Sequence, residues 1–188
     1  RRAAGLTIVS RVAALELPEP DPKLELEWLL GAWYVLFSNR AELRERTHPR
    51  VELDRMDAER MQVSLRFRTQ DLLGREKARL LVSTAVAEPN GPIGRFLVHG
   101  HGLARMSVSR VCFAIVEPQQ RWAAVWQGRS TLGNAAGLDL YSRDPSVTQA
   151  QLDAMLAAVR AHPFLRERSG GLFATVQDWF PPQPYGLL

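Results

Sequence analysis

The chain has 188 residues, of which 46% are hydrophobic and 23% are charged, a balance that excludes a wholly disordered protein and fits one domain with a well-buried core. Its formal net charge of +4 is spread along the chain without a long basic block, so nucleic-acid binding is not expected, although an acidic partner or an anionic lipid surface would suit this charge. The single cysteine, Cys112, excludes an intramolecular disulfide, and no stretch approaches the roughly 18 uninterrupted apolar residues of a transmembrane helix.

Residues 1–23 are predicted to form an N-terminal arm and a stiff linker. The linker contains Pro18, Pro20 and Pro22, and proline at this density restricts the backbone. No Met precedes Arg1, which indicates either a removed targeting segment, as in a mitochondrial or plastid protein, or an excerpt of a longer chain. This observation does not identify the cellular compartment of the protein.

From residue 33 onward the pattern changes to short runs of strand-forming residues separated by turn signals. Met61 to Arg68 alternates apolar and polar residues, as a half-buried strand does. Even spacing without an intervening helix favours an all-β barrel or sandwich. The predicted strands are 33–38, 50–55, 61–69, 76–88, 94–100, 109–117, 121–128 and 137–142.

One strong helix is predicted after the strands, over residues 148–162. Thr148 and Gln151 have the spacing of a capping box, and Pro163 lies just beyond the predicted end. An apolar stripe marks the face that packs on the rest of the protein: Leu152, Met155, Leu156 and Val159. Residues 172–177 are predicted as a short final strand, and 178–188 as an extended tail rich in proline and aromatic residues.

Two short motifs at the ends of the strand series resemble the lipocalin family. Gly31-Ala32-Trp33 lies at the start of the first strand, and Ser142-Arg143-Asp144-Pro145 lies at the end of the eighth. The resemblance covers residues 24–177, and within the family the chain is most similar in look to bacterial-type lipocalins. It implies an eight-stranded antiparallel up-and-down barrel, with one C-terminal helix packed outside and a short final strand. The sequence departs from the family at 117–122, where relatives have a Thr-Asp-Tyr-like turn.

The resemblance also implies how the barrel is closed. In the family the tryptophan plugs the sealed end and the arginine lies across its indole ring. Gly31, Trp33 and Arg143 are therefore expected to form the barrel closure, with about 0.5–2 kcal/mol from the cation–π contact.

Alternation along the strands predicts which side chains face a cavity. Ala123 and Gln127 are placed inside by family spacing, whereas Trp122 and Trp126 are placed outside. Asp139 is expected either to contact a ligand, to lie in water at the mouth, or to pair with a cation, because a buried lone carboxylate is costly. The candidate ligand-binding residues are Val35, Phe37, Val63, Leu65, Phe67, Val125, Asp139 and Tyr141.

The favoured function is binding or transport of a small hydrophobic ligand, such as a lipid, an isoprenoid or a tetrapyrrole, with no cofactor. The alternative is an accessory or assembly subunit of a larger organellar complex, membrane-associated in one version, that docks through its tails and through Trp122 and Trp126. Both assume the barrel, and the sequence does not decide between them.

Catalytic and metal-binding signals are weak. Cys112 would act as a pocket nucleophile only if it faced the cavity, and a buried cysteine is more often an inert apolar residue. His99 and His101 share one side of a strand, but no third ligand is spaced to complete a metal site. No catalytic residues and no metal ligands are therefore assigned.

Overall fold

The computed structural model describes residues 16–102 and 105–177 of the chain. The predicted arm over 1–15 and the tail over 178–188 lie outside the described residues. No helix within the described part is long and apolar enough to span a bilayer.

The described residues form nine strands, three α-helices and one short 3-10 helix. The strands are β1 (Gly31–Ser38), β2 (Thr47–Arg55), β3 (Arg60–Gln70), β4 (Glu76–Ala87), β5 (Arg95–Gly100), β6 (Val108–Val116), β7 (Trp122–Gln127), β8 (Gly137–Ser142) and β9 (Phe173–Ala174). The helices are α1 (Leu26–Leu29), α2 (Gln149–Ala161) and α3 (Pro163–Arg168), with the 3-10 helix at Ala41–Leu43.

The first eight strands form a closed antiparallel barrel. Each strand from β2 to β8 pairs with its neighbour in sequence, and β1 pairs with both β2 and β8 to close the ring. Strand β9 adds to the upper half of β1 from outside. The chain enters β1 at the end that Arg143 reaches, which is called the base, and the opposite end is called the mouth.

All eight predicted barrel strands are confirmed, with ends that move by a few residues. The largest difference is in β2, which begins at Thr47 because an irregularity in its pairing with β3 lets the chain continue past Pro49. The final strand is shorter than predicted. Between Ala174 and Gln177, the last described residue, there is only one isolated bridge, which joins Thr47 and Val176.

The long helix is confirmed, but the sequence analysis missed the short helix that follows it. Pro163 does stop α2, and it then occupies the first turn of α3, where a missing N–H costs nothing. The ring nitrogen of His162 accepts a hydrogen bond from the Leu165 amide and so caps the new helix. Pro163 therefore ends one helix and begins the next, whereas the sequence analysis used it only as an end signal.

Two apolar cores lie on opposite sides of the barrel wall. The inner core fills the barrel and includes Trp33, Val35, Val51, Leu53, Met61, Ala85, Phe96, Val111, Phe113, Val125 and Tyr141. The outer core lies between the wall and the two C-terminal helices and includes Leu36, Phe37, Cys112, Ala114, Ala124, Trp126, Leu138, Leu140, Leu152, Met155, Val159 and Leu165.

The capping box at the start of α2 gives a first testable effect. The Thr148 hydroxyl accepts from the Gln151 amide at 3.2 Å, and the Gln151 side chain accepts from the Thr148 amide at 2.8 Å. We expect Thr148→Ala to lower the free energy of unfolding by about 1 kcal/mol, because backbone donors at the helix start lose their partners. Urea denaturation checks this, with Ser146→Ala, an exposed serine before the helix, as the control. Equal losses in the two variants would contradict it.

Candidate functional site

The base of the barrel is sealed by Trp33, which is fully buried at the start of β1. Its indole nitrogen donates to the Leu29 carbonyl at 2.7 Å, which ties the ring to helix α1. The guanidinium carbon of Arg143 lies 3.5 Å from the centre of the Trp33 ring. This distance is well inside the range of a favourable cation–π contact.

The Arg143 guanidinium also joins three segments of backbone at the base. It donates to the carbonyl oxygens of Ala32 at 3.0 Å, Trp28 at 2.7 Å and Gln120 at 3.4 Å. Burial lowers the pKa of Arg143 to about 10, so the side chain is still charged at neutral pH. Gly31 has φ +90°, a backbone conformation that residues with a side chain rarely adopt, so glycine suits this position.

An apolar cavity lies in the middle of the barrel, above Trp33. Its free volume is about 60 Å³, enough for a few water molecules and below the roughly 300–1,000 Å³ of most ligand pockets. Ten of its twelve lining residues are apolar: Val51, Leu53, Met61, Val63, Ala85, Phe96, Val98, Val111, Phe113 and Val125. The other two are Gln127 and Tyr141.

Aromatic rings account for the small free volume. Phe113 packs edge-on against Phe96 and against Tyr141, with ring centres 6.3 Å apart in each pair. Tyr141 in turn lies 6.4 Å from Trp33. These four rings form one connected set from the base to the cavity, and this is the spacing at which aromatic pairs attract each other. The barrel interior is therefore mostly a packed core.

Gln127 and Tyr141 provide the only polar side chains of the cavity lining. The Gln127 side-chain amide donates to the Tyr141 hydroxyl at 3.2 Å. Burial, and secondly the nearby Asp139 carboxylate, raises the pKa of Tyr141 far above its usual value. The hydroxyl stays protonated and keeps its own hydrogen to donate.

A buried ion pair lies between the cavity and the mouth. The Arg40 guanidinium donates to one Asp139 oxygen at 2.9 Å, and the Ser38 hydroxyl donates to the other at 2.7 Å. Arg40 also donates to Glu42 at 2.6 Å. Burial raises the pKa of Asp139, and Arg40 and Ser38 offset part of this rise. Burial alone would lower the pKa of Arg40, but the carboxylates of Asp139 and Glu42 raise it above its usual value.

Comparison with solved structures finds several proteins with a similar barrel. It superposes on lobster apocrustacyanin A1 with a TM-score of 0.58 at 13% identity, over 81% of this chain and 79% of that one. The cockroach allergen Per a 4 gives a TM-score of 0.56 at 14% identity, over 86% and 94%. The siderocalin Ex-FABP gives 0.54 at 15% identity, over 84% and 97%. All three are lipocalins.

The chain has the lipocalin fold. No protein-family model matches the sequence, and no curated protein matches it either. The fold is thus recognised from the course of the backbone, while the two short motifs that resembled the family lie where the lipocalin barrel is closed. The expected contact of Trp33 with Arg143 is confirmed.

Three of the candidate ligand-binding residues line the cavity of this lipocalin barrel, namely Val63, Val125 and Tyr141. Val35 belongs to the inner core but not to the cavity wall, and Leu65 packs against the same core. The placement of Gln127 inside is confirmed as well. These residues share the inner face because each strand alternates regularly at these positions.

Phe67 and Phe37 differ from the other candidates. Phe67 is buried, but the guanidinium of Arg46 lies 4.4 Å from its ring centre and covers it. The prediction that Phe37 faces the cavity is wrong. A β-bulge between Val35 and Phe37 places Leu36 and Phe37 together on the outer face, where both belong to the outer core.

Asp139 was also proposed as a ligand contact, and the structure gives it a different role. Its side chain is 0% exposed, and both oxygens already accept hydrogen bonds from Arg40 and Ser38. It is not part of the cavity wall. Of the alternatives stated for this carboxylate, pairing with a cation is the one that the structure shows.

The alternative of Cys112 as a pocket nucleophile is wrong for a geometric reason. Cys112 lies on the outer face of β6, within the outer core, and its thiol donates to the Pro18 carbonyl at 3.3 Å. Burial raises its pKa to about 12, which keeps the thiol protonated and unreactive.

No three His, Cys, Asp or Glu side chains among residues 16–102 and 105–177 are grouped to hold a metal ion. The His101 ring contacts the Thr84 hydroxyl at 2.7 Å.

The two outward tryptophans are covered largely by the protein's own helices. Trp126 is buried, with Phe164 of α3 edge-on at 5.1 Å between ring centres, and Trp122 packs against the same outer core. The idea that they form a partner surface is not supported for Trp126. The helix missed in the sequence analysis is the element that covers it.

Sequence reasoning missed most of the cavity wall. Val51 and Leu53 could have been found, because β2 alternates as clearly as β3. Phe113 and Val111 could not be separated from their neighbours, because Val111 to Val116 is continuously apolar. The outer face of β6 is buried under the helices, so both faces demand apolar residues and the alternation that marks the inside disappears.

Proposed function

We propose that the barrel binds one small hydrophobic molecule with a slender apolar part, such as an acyl or isoprenoid chain. The observation that carries this proposal is the cavity wall, with ten apolar residues and one hydrogen-bonded polar pair, Gln127 and Tyr141. Apolar walls with a few fixed polar groups are typical of small-molecule sites. The siderocalin neighbour, which has the same fold, is described as having dual ligand specificities.

The cavity size favours a slender ligand over a wide one. With about 60 Å³ free, a flat and wide tetrapyrrole would require several of the packed rings to move, and each such shift disrupts a close-packed core. A slender chain requires much less. Met61 lies in the wall, and its unbranched, flexible side chain can change rotamer to lengthen the space.

The polar pair offers a hydrogen-bonding group to a polar end of the ligand. The protonated Tyr141 hydroxyl donates to a hydroxyl, carbonyl or carboxylate oxygen of the ligand, while Gln127 holds the hydroxyl in place. A chain without any polar atom gains only the burial of its surface, about 25 cal/mol per Å². The site therefore favours a chain that carries an oxygen over a plain hydrocarbon.

Filling the cavity tests the proposal. We expect Val63→Phe to weaken binding of a fluorescent polyene fatty acid at least tenfold, because the larger ring occupies the free volume. Val86→Phe is the matched control, since Val86 lies one position from Ala85 on the other face of β4 and not on the cavity wall. Titration by fluorescence gives both dissociation constants, and native mass spectrometry shows whether the purified protein carries a ligand.

Three outcomes bear on the proposal. Saturable fatty-acid binding that Val63→Phe weakens and Val86→Phe leaves unchanged supports it. No saturable binding of fatty acids or isoprenoid alcohols, together with no bound molecule in the native protein, overturns it. Tight haem binding would overturn the preference for a slender chain.

Tyr141→Phe is expected to weaken binding of an acid or alcohol about tenfold while leaving binding of a hydrocarbon unaffected, as loss of one hydrogen bond predicts.

A further inference from the structure

The two ends of the barrel differ in which apolar side chains they expose. Nine large apolar residues are strongly exposed among the described residues, and only Met56 and Ile93 lie at the base. The other seven lie at or above the mouth: Leu72, Leu73, Leu80, Leu81, Met106, Leu132 and Val176. Exposed apolar groups gathered at one end indicate a contact surface.

The two ends also differ in charge. Four segments surround the mouth, and the sequence gives their described residues eight Arg or Lys and four Asp or Glu, a net charge of +4: residues 39–47, 70–79, 101–102 with 105–107, and 128–136. Five segments form the base, with five Arg or Lys and nine Asp or Glu, a net charge of −4: residues 18–30, 55–60, 88–94, 117–121 and 143–148. When the strand residues that pair with these segments are included, Asp139 and Arg68 at the mouth and Arg95 and Arg110 at the base, the net charges are +4 and −2. The barrel therefore has a positive mouth and a more weakly negative base.

We propose that the mouth end docks on an anionic lipid surface, with Leu72 and Leu73 inserted among the lipids. Positive charge and exposed apolar side chains at the same end fit an anionic bilayer, which offers negative headgroups above an apolar layer. The negative base is repelled from the same surface. The charge separation along the barrel axis thus orients the protein with its mouth toward the lipids.

The tip of the β3–β4 hairpin is built to present its two leucines. The Asp71 carboxylate accepts from the amides of Leu73 at 2.9 Å and Arg75 at 3.0 Å, which fixes the turn. Leu72 is 105% exposed and Leu73 74% exposed. Both leucines point into solvent from an ordered turn, so the exposure is imposed by the fold.

The hairpin projects beyond β5, the neighbouring strand on one side. Strand β4 pairs with β5 only from Ser83 to Ala87, so the part from Glu76 to Leu81 extends past the barrel rim. Lys77 and Arg79 lie on this projecting part. The two leucines of the tip therefore lie beyond the last β4–β5 pair and are exposed at the rim.

A second contact point lies on the other side of the mouth. The Thr131 hydroxyl donates to the Met106 carbonyl at 2.6 Å and accepts from the Val108 amide at 2.9 Å. This joins the β5–β6 and β7–β8 loops and brings exposed Met106 and Leu132 to the same region of the rim. Two separate apolar points fix the tilt of a barrel on a surface better than one.

Other occupants fit these observations less well. A second copy docked mouth to mouth would place a charge of +4 against another +4, which opposes association. A nucleic acid would use the positive charge but would leave the exposed leucines without an apolar contact. An anionic bilayer satisfies both features.

Vesicle binding tests the proposal. We expect the protein to float with vesicles of phosphatidylcholine and phosphatidylserine, and to bind vesicles of phosphatidylcholine alone at least tenfold more weakly. Raising the salt from 0.05 to 0.5 M is expected to reduce binding to the anionic vesicles, because salt screens exposed charges. The probe is the vesicle itself, so the result does not depend on a ligand in the cavity.

Matched variants locate the contact. Leu72→Ser with Leu73→Ser is expected to lower vesicle affinity at least tenfold, whereas Met56→Ser with Ile93→Ser, the equivalent change at the base, is expected to leave it unchanged. Arg75→Gln with Arg129→Gln should also weaken binding, and Arg121→Gln at the base should not.

A dye attached to Leu73→Cys reports insertion directly, since the native Cys112 is buried and stays unlabelled.

The outcomes separate this inference from the ligand proposal. Equal vesicle binding by mouth and base variants, or an unchanged dye signal on binding, overturns docking through the mouth even if fatty acids bind in the cavity. A dimer in solution that Leu72→Ser with Leu73→Ser dissociates, without vesicle binding, overturns it in favour of a second copy. Mouth-specific, salt-sensitive binding supports it even if the cavity is empty.

Discussion

Replacing Arg143 with alanine is expected to destabilise the protein by about 2–4 kcal/mol. The variant loses the stacking of the guanidinium on Trp33 and its hydrogen bonds to three carbonyl oxygens. Hydrogen bonds that involve a charged group contribute about 1.5–3 kcal/mol each, but water can reach this half-buried site and replace part of them. Urea denaturation measures the loss as a lower midpoint at unchanged slope.

Arg143→Lys distinguishes geometry from charge at the same position. Lysine keeps the positive charge but lacks the planar fork that reaches Ala32 and Trp28 together. We expect it to recover less than half of the lost stability. Arg121→Ala is the control, because Arg121 is exposed and its pairing with Asp144 lies at the surface. If Arg143→Ala costs no more than Arg121→Ala, the guanidinium does not hold the base together.

The barrel was predictable because its signals are local and repeated. Eight short runs with strand propensity, separated by turn residues, define a strand series without reference to tertiary contacts, and Met61 to Phe67 shows the alternation plainly. The ends of the series carried the motifs at Trp33 and Arg143. The bulge in β1 was not predictable in the same way. It places Leu36 and Phe37 on one face, although both residues suit a strand interior, and only the pairing with Leu140 reveals it.

The candidate site was less predictable than the barrel, because the direction of each side chain is inferred from that of its neighbours along the strand. One unrecognised bulge was enough to misplace Phe37. Asp139 shows a second difficulty. Its partner Arg40 lies 99 positions away along the chain, at a place where the sequence gives no sign of a buried charge. Pairings of this kind follow from the closed ring, in which β1 and β8 are neighbours.

The free volume of the cavity was also beyond the reach of the sequence. Residue types predict an apolar interior, but the packing of Phe96, Phe113 and Tyr141 decides how much of it stays open. The charge difference between mouth and base, in contrast, was present in the sequence from the start. It becomes visible only when the loops are sorted by the end of the barrel to which they belong.

Removing Arg40 is expected to have the largest effect on stability. Arg40→Met leaves the Asp139 carboxylate fully buried without its cation, a change that costs about 3–5 kcal/mol in comparable pairs. Methionine keeps most of the length of the side chain, so the loss reflects charge more than volume. Thermal and urea unfolding of the variant give the magnitude at neutral pH.

The pH dependence of the Arg40→Met variant identifies Asp139 as the cause. Burial already raises the pKa of Asp139 in the folded protein, and loss of Arg40 raises it further. A carboxyl group whose folded pKa lies above its unfolded value of about 3.9 destabilises the fold increasingly as the pH rises from that value to the folded pKa. The deficit relative to the unmodified protein should therefore be smaller at pH 5 than at pH 8.

A double variant completes the test of this ion pair. In Arg40→Met with Asp139→Leu neither charge of this pair is left buried, and an apolar pair of similar volume can replace an ion pair at little cost. We expect the double variant to be more stable than Arg40→Met alone by about 2 kcal/mol or more and to lose the pH dependence. If the double variant is less stable than either single variant and the pH profile of Arg40→Met is flat, then Arg40 stabilises the mouth through Glu42 or through packing and not through Asp139.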